Sequence, residues 1–330
     1  MSENSETNHF NQELKEIEER EEREISGLPS GFSELDRLTG GWQDSDLIVI
    51  GSRPTMGKTS FLLSVAERAA LDDASPKRVA LFSLEMSTQQ LAGRMLTSRA
   101  RIDGQKRRTS ELDKEETERL QKAAETLSGA PIHIDDTPGL EVEALFNECR
   151  RIDEDRGIDL VVVDYLQLLT ASDSNLPTST SRAVVLSHIV SKLKALAMEL
   201  DVPVLVASQL NREVENRGGD KRPRLIDLRG SGAIEEVADV VAFIYRAERY
   251  GITVDPQGNS TEGIAEIIIG KQRSGPIGVA EIAFLKQYAR FEPLTSEHRT
   301  SEEASQGSSP SPGPPSGHEE GKDLSGDAPF

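Results

Sequence analysis

Short, almost wholly apolar runs separated by helix-length segments dominate the middle of this sequence. They are DLIVI (46–50), RVALFS (78–83), DLVVVD (159–164), VPVLVAS (202–208) and ADVVAFIYR (238–246). A strand with one wet face alternates apolar and polar residues, whereas a strand covered on both faces does not need to. The segments between the runs read as helices: TSFLLSVAERAAL (59–71), several through about residue 128, LEVEALFNECRRIDEDRG (140–157) ended by Gly157, and a long one over roughly 182–200. IHI (132–134) is a short extended piece. Strands alternating with helices predict an α/β fold built on a mostly parallel sheet flanked by helices. GIAEIIIGKQ (263–272) and GVAEIAFL (278–285), joined by RSGPI, predict a C-terminal antiparallel hairpin.

Composition divides the chain. Hydrophobic residues make up 36%, too few for a chain packed throughout. Residues 1–26 form an acidic linker segment with 9 acids and 3 bases. Within it FNQELKEIEEREEREI (10–25) reads as a helix with a thin apolar stripe, either solvated or docked on a neighbouring subunit. Residues 27–294 form the folded domain. Residues 295–330, rich in Ser, Pro, Gly and Glu, bury too little apolar surface to order themselves. The net charge is −19, of which residues 27–294 hold −8, from 41 acids and 33 bases. Bulk attraction to nucleic acid is therefore excluded, and any such contact rests on local basic groups. The single cysteine, Cys149, has no partner for a disulfide, which suits a reducing cytoplasm. No secretory signal opens the chain, and no apolar run approaches the roughly 18 residues that span a membrane.

The chemistry gathers at the ends of the apolar runs. After DLIVI comes GSRPTMGKTS, close to the phosphate-loop pattern G-x-x-x-x-G-K-[ST], with Ser52 at the position usually taken by Gly. A strand, a tight turn and a helix N-terminus in succession make an anion cradle. Residues Ser52, Arg53, Pro54, Thr55, Met56, Gly57, Lys58, Thr59 and Ser60 are its candidate members. Lys58 would reach the β- and γ-phosphates of ATP, and the Thr59 hydroxyl would hold Mg²⁺. Asp164, following LVVV, suits the second Mg²⁺ ligand. Glu85, following VALFSL, is a candidate base for the attacking water. Gln209, following VLVAS, is a candidate sensor of the γ-phosphate. Lys271 and Arg273 lie two apart in an extended segment and point the same way. They read either as exposed cations at a strand end or as an arginine finger supplied in trans to another subunit's triphosphate.

GLPSGFSELDRLTGG, SRPTMGKTSF, FSLEM, VVVDYLQLL, VPVLVASQLNR, DLRGSGAIEEVADVVAFIYR and IIIGKQRSGPIG occur in this order. Over about residues 15–293 the chain resembles the C-terminal RecA-like P-loop ATPase domain of DnaB-type replicative DNA helicases. SQLNR and KQRSGPIG separate it from recombinase- and clock-type relatives. The resemblance implies a homo-oligomer, a ring hexamer, that hydrolyses ATP with Mg²⁺ at subunit interfaces and moves 5′→3′ on single-stranded DNA. It implies Glu85 as catalytic base, Asp164 as metal-binding acid, Gln209 as sensor, and Lys271 and Arg273 as the neighbour's contacts to the γ-phosphate. It also implies that DLRGSGA (227–233) faces DNA in the central channel, through Arg229 and the backbone near Gly230 and Gly232. Such phosphate contacts carry no sequence information, as a translocating motor requires.

Three departures accompany the resemblance. Only about 26 residues precede GLPSG, so the family's N-terminal domain is expected to be missing and primase coupling with it. Gly230 stands where the family usually has Glu. SRAVVLSHIVSKLKALA (181–197) lacks the usual acidic and Arg pattern before LKALA, so altered subunit or DNA contacts are expected near His188 and Ser191, although Leu186, Ile189, Leu193 and Leu196 keep a helical core stripe. The last residues, SGDAPF, read either as tail sequence or as an acidic Pro-Phe tip that recruits replication or repair partners. The alternative to a motor is a nucleotide-switched assembly or loading factor without strand separation.

Overall fold

The computed structural model describes residues 25–109, 111–171, 181–228 and 230–295. The helix expected over residues 10–25, apart from its last residue, the Pro-Phe tip and Arg229 lie outside them.

The strands and helices alternate as their hydrophobic pattern requires. Helix α1 (Ser33–Thr39) precedes β1 (Leu47–Ser52), and α2 (Lys58–Ala70) leads to β2 (Val79–Ser83). Helices α3 (Thr88–Ala100), α4 (Gly104–Thr109) and α5 (Lys114–Ser128) lead to β3 (Ile132–Asp135). Helix α6 (Val142–Arg156) leads to β4 (Leu160–Asp164), and α7 (Arg182–Leu200) to β5 (Val204–Gln209). Short α8 (Glu213–Asn216) and α9 (Ser231–Val237) precede β6 (Val240–Tyr245). Strands β7 (Ile264–Gln272), β8 (Gly278–Leu285) and β9 (Arg290–Pro293) follow. All join one sheet in the order β3-β2-β4-β5-β1-β6-β7-β8-β9. The first six are parallel and the last three antiparallel. The mostly parallel sheet and its closing hairpin agree with the expectation.

The apolar runs are continuous because both sheet faces are covered. Ile48, Ile50, Leu81, Val162, Leu205 and Ala242 point to one side, where α2 supplies Phe61, Leu62 and Val65. Leu47, Val49, Phe82, Val163, Val206 and Val241 point to the other, against Leu145, Cys149 and Ile152 of α6. Helix α7 adds Leu186, Ile189, Leu193 and Leu196, the predicted stripe. Burying a Leu or Ile side chain stabilises by about 1.5–3 kcal/mol, so this two-sided core fixes the strand ends that carry the polar groups. Cys149 is wholly buried, and burial pushes its thiol pKa up, which makes it unreactive.

Helices α1 and α9 and strand β9 were not legible in the sequence. Two turns are too short to show a 3.6-residue period, and β9 is defined by its pairing to β8. Half of the loop expected over 227–233 is in fact the first turn of α9, which starts at Ser231.

Candidate nucleotide site

The phosphate loop has the geometry its sequence calls for. Strand β1 ends at Ser52 and α2 starts at Lys58. Glycine is needed at Gly51, where a Cβ would lie 2.8 Å from the Phe243 ring, and at Gly57, which has φ +102° and sits against Phe291. Ser52 has neither constraint, which is why the loop closes without the usual first glycine. Its side chain is buried and its Oγ has no hydrogen-bond partner. The crest, Pro54 and Thr55, is exposed. Thr55 has φ +68°, an uncommon value for a β-branched residue. Arg249 Nη2 donates to Thr55 Oγ1 at 2.9 Å and the Arg246 guanidinium approaches its carbonyl, so two cations from beyond β6 hold the crest. Arg53 is engaged differently from expectation. Its guanidinium donates to the Leu210 carbonyl at 2.9 Å and pairs with Glu215 at 2.9 Å, so its side chain braces the loop and only its backbone lines it.

The carboxyl ends of the neighbouring strands converge on this loop. Ser52 lies opposite Gln209, and Ser83 opposite Asp164. Thr59 Oγ1 donates to Asp164 Oδ2 at 2.6 Å, and Lys58 Nζ lies 3.7 Å from Asp164 Oδ1 and 4.0 Å from the centre of the Tyr165 ring. Burial pushes the Lys58 pKa down, while the charges of Asp164 and Glu85 oppose the shift. Asp164 Oδ1 is buried without a hydrogen-bond partner. An orphaned carboxylate oxygen beside a hydroxyl offers the hard oxygen donors that Mg²⁺ prefers. No group of three or more metal-binding side chains occurs among the described residues. This does not weigh against Mg²⁺, which commonly takes one or two protein oxygens and completes its shell with water and phosphate. Glu85 is exposed, on a turn fixed by Ser83 Oγ donating to the Met86 carbonyl at 2.7 Å and by the Ser87 cap of α3.

Gln167 was not among the residues singled out from the sequence. Its Nε2 donates to Ser208 Oγ at 2.8 Å, and its Oε1 accepts from the Gln209 N–H at 3.1 Å. It ties the segment after Asp164 to the end of β5. Arg246 was missed as well. It ends an apolar strand, the same signal that marked Asp164, and stacks on Phe284 at 3.8 Å.

Lys271 and Arg273 do not join this cluster. The parallel register places Ser52 beside Ile244 at the far end of β6, whereas Lys271 lies beside Val241 near its start. Lys271 Nζ donates to the Glu235 and Ala238 carbonyls at 2.5 Å each, and Arg273 Nη2 to the Glu236 carbonyl at 3.3 Å. Both cations therefore sit at the C-terminal end of α9, where its carbonyls favour positive charge. Along β6, at roughly 3.3 Å per residue, Lys271 stands about 10 Å and Arg273, beside Asp239, about 17 Å from the level of Ser52.

Gly230 is the N-cap of α9 with φ +80°, and a Cβ there would lie 2.3 Å from Leu186 Cδ2. Gly232 has open space around it. His188 Nε2 lies 2.8 Å from Glu143 Oε1, so this altered position makes a contact within the chain, between α7 and α6, and Ser191 is exposed.

A parallel sheet with a phosphate loop after its central β1, and polar groups at the adjoining strand ends, defines a RecA-like nucleotide-binding domain of the P-loop class. Residues 27–293 match the DnaB-like helicase C-terminal domain family, and the chain belongs to it. It is 46% identical over 268 residues to the replicative DNA helicase DnaB of Geobacillus stearothermophilus, covering 81% of this chain and 57% of that protein. It is 43% identical to the replicative DNA helicase DnaC of Bacillus subtilis, with the same coverage. The chain thus spans little more than half the length of these relatives. Among solved structures it resembles the ATPase domain of G40P, with TM-score 0.79, 36% identity, and coverage of 88% of this chain and 98% of that one. It also resembles a DnaB-like replicative helicase studied with its interactions with primase, with TM-score 0.77, 36% identity, and coverage of 87% and 66%.

Proposed function

We propose that this chain is the ATP-dependent motor of a DnaB-type helicase, with residues 27–294 as the motor domain and residues 1–26 and 295–330 as flanking segments. The observation that carries the proposal is the division of the candidate site. Lys58, Thr59, Asp164, Glu85 and Gln209 gather at one end of the sheet, while Lys271 and Arg273 sit roughly 10–17 Å back along β6, on the carbonyls at the end of α9. Held on those carbonyls, the two cations cannot serve the phosphate loop of their own chain. A second copy can, head to tail, and a head-to-tail contact that closes makes a ring.

In this reading ATP lies between copies of the chain. The backbone from Ser52 to Ser60 cradles its phosphates and Lys58 neutralises them. Thr59 and Asp164 hold Mg²⁺, which supplies charge stabilisation on the phosphates when bound. Glu85 orients and deprotonates the attacking water, and Gln209, positioned by Gln167, contacts the γ-phosphate. Lys271 and Arg273 of the adjacent copy stabilise the charge that develops on transfer. Single-stranded DNA passes Arg229 and the backbone of Gly230 and Gly232 in the channel of a hexamer, which moves 5′→3′. The relatives are replicative DNA helicases, which supports a setting in DNA replication, and one structural neighbour was studied with primase; we place the chain in the cytoplasm.

A second reading, a nucleotide-switched assembly or loading factor, draws on Gly230, whose left-handed backbone differs from what the family's usual Glu would adopt easily. Unwinding of a forked DNA by assembled rings, with ATP hydrolysis stimulated by single strands, separates the two. The motor requires both. Hydrolysis indifferent to DNA, with no strand separation, supports the assembly factor.

A further inference from the structure

The cation pair at the amino end of the sheet has a buried partner to which no role has so far been given. Asp239, 4% exposed, is the residue just before β6. Its Oδ2 accepts from the Leu47 N–H at 2.9 Å and from Lys194 Nζ at 2.7 Å. Lys194 is held in turn by the Ser45 carbonyl at 2.8 Å. With Oδ2 fixed by a backbone donor and an ammonium, Asp239 presents its other oxygen, Oδ1, to Arg273 Nε at 3.5 Å. The Arg273 N–H also donates to the Asp239 carbonyl at 2.9 Å. The Arg273 side chain is 56% exposed, and its Nη2 donates to the Glu236 carbonyl at 3.3 Å. A long, exposed guanidinium has many rotamers, and a fixed carboxylate beside its Nε selects among them. The group sits on rigid elements, since Leu47 begins the strand that ends in the phosphate loop.

We infer that Asp239, steadied by Lys194, is a positioning residue that aims Arg273 at the nucleotide of the adjacent copy. This rests on the reading of Arg273 as a cation supplied in trans. Asp239 touches no reacting atom in this account. It sets the direction of the guanidinium, and misdirection by about 1 Å costs up to roughly 100-fold in rate. The competing explanation is that Asp239 merely ties the starts of β1 and β6 together within its own chain.

Asp239→Asn keeps the shape and an acceptor for the Leu47 N–H but removes the charge facing Arg273. The expected result is a fall in kcat of roughly 10- to 100-fold, with fluorescent ATP-analogue affinity within about twofold of wild type. The decisive arm mixes impaired chains. Asp239→Asn keeps an intact phosphate loop, and Lys58→Ala keeps an intact finger. An interface between the two joins both sound halves, so the mixture should hydrolyse ATP faster than either variant alone. Arg273→Ala mixed with Lys58→Ala is the control. If that control recovers activity while the Asp239→Asn mixture does not, Asp239 acts within its own chain and the inference is overturned, with the trans reading intact. If neither mixture recovers, the trans reading fails and takes the inference with it. Wild-type kcat in Asp239→Asn also overturns it. Should Asp239→Asn fail to assemble by mass measurement, Lys194→Met, which removes the steadying ammonium, carries the same mixing test with the same outcomes.

Discussion

Thr59→Val separates the hydrogen bond that one hydroxyl makes from the Mg²⁺ contact proposed for it. Valine keeps the β-branched shape at the start of α2, so packing changes little. It removes the 2.6 Å hydrogen bond from Thr59 Oγ1 to Asp164 Oδ2. Asp164 is 3% exposed and its Oδ1 already lacks a hydrogen-bond partner, so the variant leaves the carboxylate with Lys58 at 3.7 Å as its nearest charge. A hydrogen bond to a charged group is worth about 1.5–3 kcal/mol. At about 2–4 °C per kcal/mol, the nucleotide-free protein should melt roughly 3–12 °C lower. The same hydroxyl is assigned to Mg²⁺, so affinity for a fluorescent ATP analogue should fall about 10- to 100-fold in Mg²⁺ and much less in EDTA. Titrations with and without Mg²⁺ read this directly. Equal losses in the two conditions would refute the metal assignment, and an unchanged melting temperature would refute the importance of the hydrogen bond.

Two further perturbations follow from the geometry. Gly230→Ala places a Cβ at φ +80° and 2.3 Å from Leu186 Cδ2, and should destabilise by about 1–3 kcal/mol. Combined with Leu186→Ala in urea denaturation, the pair should cost less than the sum of its parts by at least about 0.5 kcal/mol; strict additivity would mean the two do not meet. The Asp46 carboxyl is pushed up to about 6, first by burial and then by the Asp239 charge, with Lys194 and Arg273 opposing. A carboxyl raised in the folded state stabilises fully below its unfolded value near 3.8, and that contribution is lost as pH rises through about 6. Asp46→Asn should therefore be more stable than wild type at pH 8 by about 1 kcal/mol, after allowing for the partial exposure of the group, with the gap closing near pH 4. Melts that show the same gap at both pH values would contradict the sign.

The sequence conveyed the parallel sheet because its strands are buried on both faces and so read as unbroken apolar runs. It conveyed Lys58, Thr59 and Asp164 because each stands at a strand end or helix start, where local order determines place. Glu85 and Gln209 were legible for the same reason. Gln167 was not, because its role depends on β4 and β5 being neighbours, a fact of topology. The places of Lys271 and Arg273 also hid in topology. Their spacing showed that they point together, and only the register of β6 against β1 and β7 shows that they point away from their own loop. Asp239 looked like an ordinary polar residue before a strand. Its partners Leu47, Lys194 and Arg273 are scattered along the chain, and the fold brings them together at the amino end of the sheet.

In the proposed ring the hydrolytic site is complete only between copies of the chain. This is tested most directly by the ATP hydrolysis rate per chain across a dilution series, with oligomer mass measured in parallel. A monomer should bind ATP with Mg²⁺ yet hardly hydrolyse it, and the rate per chain should rise with assembly. A monomer that hydrolyses ATP at the full rate of the assembled form would contradict it.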